Sequence, residues 1–231
     1  MKIENLHDWK VGFQEAFDIQ EKLRDRIVLN DSRGSGKINL IAGADISYAR
    51  GSNLFFAAVV LMKFPEMVML ETAVAEGRVD FPYIPGLLSF REGPILLKAF
   101  ERLAIRPDVV LFDGQGIAHP RGIGLASHMG LFLNLPSIGC AKTKLSGSHA
   151  DVGGKAGDFT WLTNGGRAVG AVLRTKSKVK PIFVSPGHKI SLERAVSVAF
   201  ASCAGYRLPE PTRRAHLEVN RIRMENERSG R

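Results

Sequence analysis

Apolar residues near the start of the chain recur at helical spacing. This stripe predicts an amphipathic helix over residues 8–27, with Asp8 placed to cap it. The polar, glycine-rich residues 30–36 then interrupt the chain before the first strand. The apolar positions of the stripe are Trp9, Phe13, Phe17, Leu23 and Ile27.

The next segment has the longer apolar runs and the short turns of a β-meander. Residues 38–48, 54–64 and 67–76 are predicted strands, and turns as short as those between them join antiparallel neighbours. A stiff loop follows, in which two prolines bracket Tyr83 and Ile84 and prevent regular strand pairing.

After that loop, helical and strand patterns alternate. Pro94 suits the first position of a helix that Arg106-Pro107 ends. The strand over residues 108–112 is thus reached by a crossover helix and pairs in parallel with an earlier strand. The remaining predictions are a helix over 122–134, a strand over 137–141, a loop over 146–159, a hairpin of 168–174 with 181–185, a helix capped by Ser191 and ending at Cys203, and a last helix capped by Thr212.

An antiparallel meander followed by helix, strand, helix and strand is the element order of a ribonuclease H-like α/β fold, with a mixed central sheet flanked by helices. No repeat or linker interrupts the pattern, which predicts one domain over residues 1–231. Residues 1–30 are expected to pack on it as an N-terminal helix, and residues 224–231 to form a frayed tail. No apolar run reaches the length of a membrane span and no signal peptide is recognisable, so we expect a soluble, cytoplasmic protein.

The charge balance favours a polyanionic partner. Lysine and arginine total 32 against 23 acidic residues, a formal charge of +9. Nucleic acid is the commonest such partner, although ribosomal proteins, nucleases and other basic proteins share this balance. Cys140 and Cys203 lie far apart without CxxC spacing, so neither a zinc site nor a disulfide framework is indicated.

Two aspartates occupy positions where α/β sheets bind ligands. Asp113 follows the strand at 108–112 and precedes Gly114-Gln115-Gly116, while Asp45 lies within the apolar first strand. Parallel pairing would bring both carboxylates within reach of one cation, and Mg²⁺ suits such a pair. For Asp113 alone, a turn that closes the strand is the alternative. Glu92, at the start of the crossover helix, could bind a second ion or a metal-bound water, or could simply interact with the helix dipole.

Four further side chains have both a functional and a structural interpretation. Lys142 could place a positive charge beside a scissile phosphate, or be solvated. His216 could be a general acid or base or an outer ligand, or a packing or surface residue. His119 is either a hydrogen-bond partner that fixes a loop or a substrate contact. Tyr83 either fills a gap in a base stack or is a core tyrosine held between prolines.

Around these residues, the sequence resembles the endonuclease V family of deoxyinosine-specific repair nucleases. Five blocks carry the resemblance in the order and spacing of the family, and PEPTRRAH near the C-terminus is a weaker sixth. The five blocks are AGADISY around Asp45, PYIPGLLSFREGP from Pro82, DVVLFDGQGIAHPRGIGLASHMG from Asp108, PSIGCAKTKL from Pro136 and GAVLRTKSKVKPIFVSPGHKISL from Gly170.

The resemblance implies hydrolysis of the second phosphodiester on the 3′ side of deoxyinosine, which leaves 3′-hydroxyl and 5′-phosphate ends. It implies that the reaction depends on Mg²⁺, for which Mn²⁺ can substitute. It implies metal binding by Asp45 and Asp113, and catalytic roles for both together with Glu92, Lys142 and His216. It makes the corner of Pro82, Tyr83, Ile84 and Pro85 a wedge that fills the space left by a rotated-out base. The hypoxanthine pocket is then expected at Gly86, Leu88, Gly114, Gly116, Leu125 and Leu145, with His119 as a further substrate contact.

The partner implied by the resemblance is DNA that contains deoxyinosine, bound by a monomer. Inosine-containing RNA stays open as a substrate. A pocket that offers a backbone donor and a backbone acceptor would match O6 and N1–H of hypoxanthine and mismatch adenine. Two rivals also stay open. One is a metal nuclease of the same fold acting on junctions, flaps or RNA, and the other is a non-catalytic nucleic-acid-binding protein. The complete acidic set of Asp45, Glu92 and Asp113 argues against the second.

Overall fold

The computed structural model describes residues 1–31, 36–49 and 51–229. Within those residues there are eight strands, which form one sheet, and five helices. The strands are β1 (Leu40–Tyr48), β2 (Leu54–Lys63), β3 (Met69–Arg78), β4 (Val109–Phe112), β5 (Ser137–Ala141), β6 (Phe159–Asn164), β7 (Arg167–Leu173) and β8 (Ile182–His188). The helices are α1 (Phe13–Arg24), α2 (Leu88–Glu101), α3 (Leu125–Leu133), α4 (Leu192–Ala201) and α5 (Glu210–Ser229). None of the described helices has the length and apolar composition of a membrane span.

The strand order of the sheet is β3-β2-β1-β4-β5-β8-β7-β6. The first three strands form the predicted antiparallel meander, and β4 and β5 continue the sheet in parallel with β1. This confirms the ribonuclease H-like prediction. The remaining strands extend the sheet in antiparallel pairing. The carboxyl ends of β1, β4 and β5 therefore lie at one edge of the sheet, which we call the carboxyl edge.

Two hydrophobic cores lie on opposite faces of the sheet because successive side chains of a strand alternate between faces. Ala42 and Ala44 of β1 enter the core that α2 and α3 cover. Ile41 enters the other core, which α4 and α5 cover. The same alternation directs Asp45 toward the face that carries α5.

Gly43 allows α5 to lie directly against β1. A Cβ atom at this position would be 2.0 Å from the carbonyl carbon of Pro211 and 2.4 Å from the amide nitrogen of Thr212. Any larger residue would push the start of α5 away from the strand. This close approach brings His216, further along α5, into contact with Asp45.

Helix α2 begins earlier than the sequence predicted. It starts at Leu88, and Pro94 lies inside it rather than at its first position. Phe90 is buried, and a Cβ at Gly93 would lie 2.7 Å from the ring of Trp9. These tertiary contacts stabilise the first turns and offset the hydrogen bond that Pro94 cannot donate. Glu92 is therefore within the helix, beyond the first turn in which a helix dipole acts on a carboxylate.

The N-terminal segment is helical over a shorter range than predicted. Helix α1 starts after Gly12 without a side-chain cap, so Asp8 does not cap it. Trp9 lies before the helix and stacks on Phe132, with ring centroids 4.9 Å apart. Most of the interruption predicted over residues 30–36 lies outside the described residues.

Strand β6 was not predicted. The predicted loop over residues 146–159 includes only its first residue, and no element was predicted over residues 160–164. The hairpin of β7 and β8 is confirmed as an antiparallel pair. β6 pairs with the other side of β7 and forms an edge of the sheet.

The last two helices also differ from their predicted bounds. The side chain of Ser191 accepts a hydrogen bond from Arg194 N and caps α4, as predicted. Thr212 does not cap α5, which starts at Glu210, and its hydroxyl donates to Pro209 O. Helix α5 continues to Ser229, so residues 224–229 are helical where a frayed tail was predicted, and residues 230–231 lie outside the described residues.

Candidate active site

Three chemically active side chains converge at the carboxyl edge. Ala44 of β1 pairs with Phe112 of β4 in parallel register, so the residues that follow them, Asp45 and Asp113, are neighbours. His216 reaches them from α5, with its Nδ1 2.7 Å from Asp45 Oδ2. One ligand atom from each of these three residues lies within 4.8 Å of the other two. The two aspartates that the sequence singled out thus share one site.

Lys142 completes the cluster from the end of β5. Its Nζ forms an ion pair with Asp113 Oδ2. The side chains of Asp113 and Asp45 are only 16% and 12% exposed. Burial, and then the neighbouring Asp45 carboxylate, raise the pKa of Asp113, while the hydrogen bond and charge of Lys142 oppose that rise.

Glu92 faces the two aspartates from α2. Burial is the main cause that raises its pKa to about 8, and the charges of Asp45 and Asp113 add to the effect. Glu92 is not one of the three residues whose ligand atoms lie within 4.8 Å of one another. Its electrostatic coupling nevertheless places it in the same acidic cluster.

The cluster fits a divalent cation. Carboxylate oxygens and a histidine nitrogen are ligand types that Mg²⁺, Mn²⁺ and related metals bind. Mutual repulsion of the carboxylates contributes to the raised pKa values of Glu92 and Asp113, and a bound cation would relieve that repulsion.

A second layer of polar contacts holds His216 against Asp45. Asn220, one turn further along α5, donates its Nδ2 to His216 O at 2.8 Å. The Oδ1 of Asn220 accepts from Ser47 Oγ at 2.8 Å, and Ser47 Oγ accepts from Arg223 Nε at 2.9 Å. The strand that carries Asp45 and the helix that carries His216 are therefore tied together two residues beyond the aspartate. The hydrogen bond that His216 donates to the Asp45 carboxylate is the main cause that raises the pKa of His216.

A pocket of about 400 Å³ lies beside Asp113. It contains most of the substrate-contacting residues expected from the resemblance: Tyr83, Ile84, Pro85, Gly86, Leu88, Gly114, His119, Leu125 and Leu145. Asp113 and Lys142 form part of the same wall. The pocket and the acidic cluster are therefore contiguous.

Two of the expected residues do not line this pocket. Pro82 lies instead in a separate groove beside Phe13 and Phe81. Gly116 is packed against β8, where a Cβ would lie 2.1 Å from Pro186 O, and its amide donates to Ser185 Oγ at 2.8 Å. Gly116 thus supports the turn after Asp113 from behind.

The loop corner that carries Tyr83 is held by hydrogen bonds to one carbonyl. Gly86 has a φ of +82°, which favours glycine, and its carbonyl accepts from Gln20 Nε2, His119 Nε2 and an Arg121 guanidinium nitrogen at 2.9, 3.1 and 2.8 Å. Burial, with a further contribution from Arg121, lowers the pKa of His119 to about 4, so the ring is neutral near pH 7. Tyr83 itself is 64% exposed. His119 therefore fixes the corner and also lines the pocket.

The pocket includes polar residues that sequence reasoning missed. They are Gln20, Ser89, Gln115, Thr143 and Lys144. Gln20 looks like a solvated helix residue in the sequence but is 1% exposed, because it bonds to Gly86 across the fold. Its contact is with a residue 66 positions away, and no local pattern signals it.

Basic residues continue along the carboxyl edge beyond Lys142. Residues 142–180 contain eight lysines and arginines and two aspartates, so this segment holds two thirds of the formal charge of +9. Lys180 precedes β8, Lys176 follows β7 and Lys155 precedes β6, and strand pairing brings these three strand ends to the edge where β5 ends. We call Lys155, Lys176, Lys178 and Lys180 the basic ridge. All four are exposed.

Known proteins resemble this chain over nearly its full length. The family model described as Endonuclease V matches residues 21–217. An Endonuclease V from Dehalococcoides mccartyi (strain CBDB1) is 49% identical over 222 residues, covering 96% of this chain and 99% of the relative.

Solved structures agree with this match. The Endonuclease V of Bacillus subtilis has a TM-score of 0.93 at 31% identity, covering 99% of this chain and 100% of the other. The Endonuclease V of Ciona intestinalis, solved with a 24mer DNA containing an inosine followed by a ribo-adenosine, has a TM-score of 0.80 at 28% identity, covering 92% of this chain and 98% of the other.

Proposed function

We propose that this chain, which belongs to the endonuclease V family, is a DNA repair endonuclease that recognises deoxyinosine and hydrolyses the second phosphodiester on its 3′ side. The observation that carries the proposal is the contiguity of pocket and acidic cluster, which share Asp113 and Lys142. When a base is held in the pocket, the phosphates next to its nucleotide lie beside the acidic cluster. The relative from Ciona intestinalis that was solved with inosine-containing DNA supports the same substrate.

Mg²⁺ is the proposed cofactor, with Mn²⁺ as a substitute, and Asp45 and Asp113 would hold it with His216 within reach. A cation bound there would supply Lewis acidity to the phosphate and make water a better nucleophile at neutral pH. The hard oxygen ligands and the crowding of the carboxylates support this assignment.

The side chains around the acids have separate tasks in the proposed reaction. Lys142 carries a positive charge beside the site, where negative charge develops on the phosphate, and its ion pair with Asp113 fixes its position. Glu92 completes the acidic site and, with a pKa near 8, can hold a proton at neutral pH. His216 orients Asp45 through the bond at Nδ1, and its Nε2, which lies 3.3 Å from Asn220 Nδ2, is the nitrogen left for proton transfer. Products with 3′-hydroxyl and 5′-phosphate ends are expected.

The corner of residues 82–85 is the proposed wedge. An exposed aromatic ring on a rigid loop can occupy the space that a rotated-out base leaves in the duplex. The three hydrogen bonds to Gly86 O keep Tyr83 in place while the duplex is opened. Deamination of adenine weakens pairing with thymine, which lowers the cost of rotating hypoxanthine out.

The direct test is a cleavage assay with Mg²⁺ and matched duplexes that contain deoxyinosine, ribo-inosine or neither. Cleavage one nucleotide beyond deoxyinosine, absent in the Asp45→Ala variant, is the expected result. Equal cleavage of all three duplexes would instead favour a metal nuclease of different specificity. Cleavage of the ribo-inosine substrate alone would favour RNA as the substrate. Light scattering of the protein without DNA tests the expected monomer.

A further inference from the structure

A row of hydrogen bonds leads from the pocket through the protein to the N-terminal segment. Ser89, in α2, lines the pocket and is 2% exposed. Its Oγ is 2.8 Å from His128 Nδ1, and His128 Nε2 is 2.8 Å from His7 Nε2. The row ends where His7 Nδ1 lies 2.8 Å from Asp8 O. None of these residues belongs to the acidic cluster.

The last acceptor of the row fixes the direction of every bond in it. A backbone carbonyl can only accept, so His7 Nδ1 carries a hydrogen and donates to Asp8 O. In the neutral ring His7 Nε2 then accepts, which requires His128 Nε2 to donate. His128 Nδ1 in turn accepts, and only the hydroxyl of Ser89 can supply that hydrogen. The Ser89 proton therefore points away from the pocket, toward His128.

Burial favours the neutral state of both imidazoles. Burial lowers the pKa of His128 well below its usual value and also lowers that of His7. Aromatic rings enclose the pair: Trp9 lies 4.5 Å from His7 and 5.4 Å from His128, between ring centroids, and Phe132 lies 5.1 and 5.5 Å from them. His128 is completely inaccessible to solvent. No water molecule can therefore reverse the direction of the bonds at His128.

Because the Ser89 hydroxyl donates its proton to His128, it can act toward the pocket only as a hydrogen-bond acceptor. We propose that Ser89 is a specificity-determining acceptor that receives the N1–H of hypoxanthine, an inference that rests on the proposed function. N1–H is the single N–H donor of the free base edge of hypoxanthine. Adenine has a lone pair at N1, so an acceptor of fixed direction would face another acceptor. An unmade bond at a buried site then disfavours adenine.

The tautomers can be measured without any substrate. Protein labelled with ¹⁵N at histidine gives imidazole nitrogen shifts and proton couplings by NMR. We expect His7 to carry its proton on Nδ1 and His128 on Nε2. A proton on His128 Nδ1 would overturn the proposal, whatever the enzyme cleaves.

The role in recognition is tested by binding in EDTA, which prevents cleavage, to duplexes that carry deoxyinosine, deoxyadenosine or an abasic site. Ser89→Ala should weaken binding to the deoxyinosine duplex by about tenfold to a hundredfold and leave abasic-site binding unchanged. Ser127→Ala is the matched control, because Ser127 is a fully buried serine of α3 that does not line the pocket. It should leave all three affinities unchanged.

The outcomes separate this inference from the proposed function. A wild-type protein that binds deoxyinosine and deoxyadenosine duplexes equally would contradict the proposed function. A wild-type preference that Ser89→Ala retains in full would overturn only the role of Ser89.

His7 is a positioning residue in this proposal, acting through His128. His7→Phe keeps the aromatic packing but removes the acceptor at His128 Nε2, so His128 can adopt the other tautomer and Ser89 can turn its proton to the pocket. The preference for deoxyinosine over deoxyadenosine should then fall at least about fivefold, together with a change in the His128 nitrogen shifts. Unchanged shifts and an unchanged preference would show that His7 does not position Ser89.

Discussion

At the scale of single residues, Asp45 and Asp113 lie side by side in one site but have different side-chain partners. Asp45 is hydrogen-bonded to His216, and Asp113 is paired with Lys142. Each buried carboxylate therefore has a partner even before a metal binds, which removes part of the cost of burying two like charges side by side. Removing either aspartate should affect metal binding more than folding.

Replacing Asp45 by alanine should abolish cleavage and largely spare DNA binding. The variant lacks a carboxylate ligand that the other residues of the cluster cannot replace, so we expect cleavage to fall by at least about a thousandfold. Affinity for the deoxyinosine duplex in EDTA should change by less than about threefold, because the pocket and the basic ridge are intact. Asp151→Ala, in an exposed loop, is the control with unchanged activity. Near-normal cleavage by the Asp45 variant would mean that other groups hold the ion.

Glu92 should make the metal-free protein less stable as the pH rises. Its pKa is raised to about 8 from an ordinary 4.5. Between these values the folded state retains a proton that the unfolded chain releases, so stability decreases as pH increases through this window. His216, whose pKa is also raised, contributes in the same direction toward its upper end. Buried histidines with lowered pKa values, such as His119 and His188, reduce stability only below about pH 6.5.

Thermal unfolding in EDTA between about pH 6.5 and 8.5 measures this effect. We expect the Tm of the wild type to fall by several degrees, because about 1 kcal/mol shifts the Tm of a chain of this size by roughly 2–4 °C. Glu92→Gln should show a shallower fall, and Mg²⁺ should flatten the wild-type curve by replacing the proton with a cation. Parallel curves for the wild type and Glu92→Gln would show that Glu92 is not the titrating group.

The acids were predictable from sequence, whereas most polar residues of the pocket were not. Asp45 and Asp113 stand out because a carboxylate on a buried strand is costly unless it has a partner or a metal. Ser89 and Gln115 carry no such local signal. Their surroundings depend on contacts with distant residues, such as the 2.9 Å bond from Gln115 Nε2 to Thr143 O and the bond between Ser89 and His128.

At the scale of elements, the segment between β3 and α2 combines a rigid base with an exposed tip. The carbonyl of Gly86 is bound by three side chains, from α1 and from the loop after β4, while Tyr83 projects into solvent. Such an arrangement can hold an aromatic ring in the path of a duplex at little entropic cost on binding.

Tyr83→Ala should impair the recognition of damaged duplex more than the chemical step. Removing the stacking ring should raise KM for a deoxyinosine duplex by about tenfold to a hundredfold. A single-stranded deoxyinosine oligomer needs no wedge, so its cleavage should change by less than about threefold. Tyr206→Ala provides a control, since Tyr206 is similarly exposed but packs against Arg213. Equal losses on both substrates would exclude the wedge role.

The strands were predicted best where their residues are buried on both faces. β2 is buried from Phe55 to Met62 and reads as a continuous apolar run. β6 was missed because only Leu162 of it is buried, whereas Phe159 and Trp161 face solvent. The pair Gly165-Gly166, with φ values of +57° and +75°, is the hairpin signal that could have revealed it.

The predicted bounds of α2 failed for a different reason. Pro94 is a common first residue of a helix, and the local sequence supports that interpretation. The contact of Gly93 with Trp9 joins residues that are far apart in the sequence, so the stabilisation of the earlier turns becomes visible only in the folded protein.

At the scale of the whole molecule, the charge is distributed along the carboxyl edge of the sheet. Neighbouring strands are about 4.8 Å apart, so the four steps from β4 to β6 span roughly 19 Å. This is the length of about five to six nucleotides of one DNA strand. The acids lie at one end of this span and the basic ridge occupies the rest, so a strand that places a phosphate at Asp113 can follow the ridge.

Replacing both Lys176 and Lys178 by alanine should weaken DNA binding without changing its preference for deoxyinosine. Neither lysine belongs to an ion pair within the described residues, so both charges are available to phosphates. The affinity for deoxyinosine and undamaged duplexes should fall by the same factor, and the slope of log Kd against log salt should decrease by about one for each phosphate that no longer binds a lysine. Titrations at several salt concentrations measure both quantities.

The matched control is the double variant Lys37→Ala and Lys63→Ala. It removes the same charge from the opposite edge of the sheet, where Lys63 pairs with Leu40 at the start of β1. If the ridge contacts DNA, this control should keep the wild-type salt slope, because only its net charge has changed. Equal effects of the two double variants would mean that net charge alone attracts the DNA. A weakening confined to the deoxyinosine duplex would place Lys176 and Lys178 in base recognition rather than along the phosphate backbone.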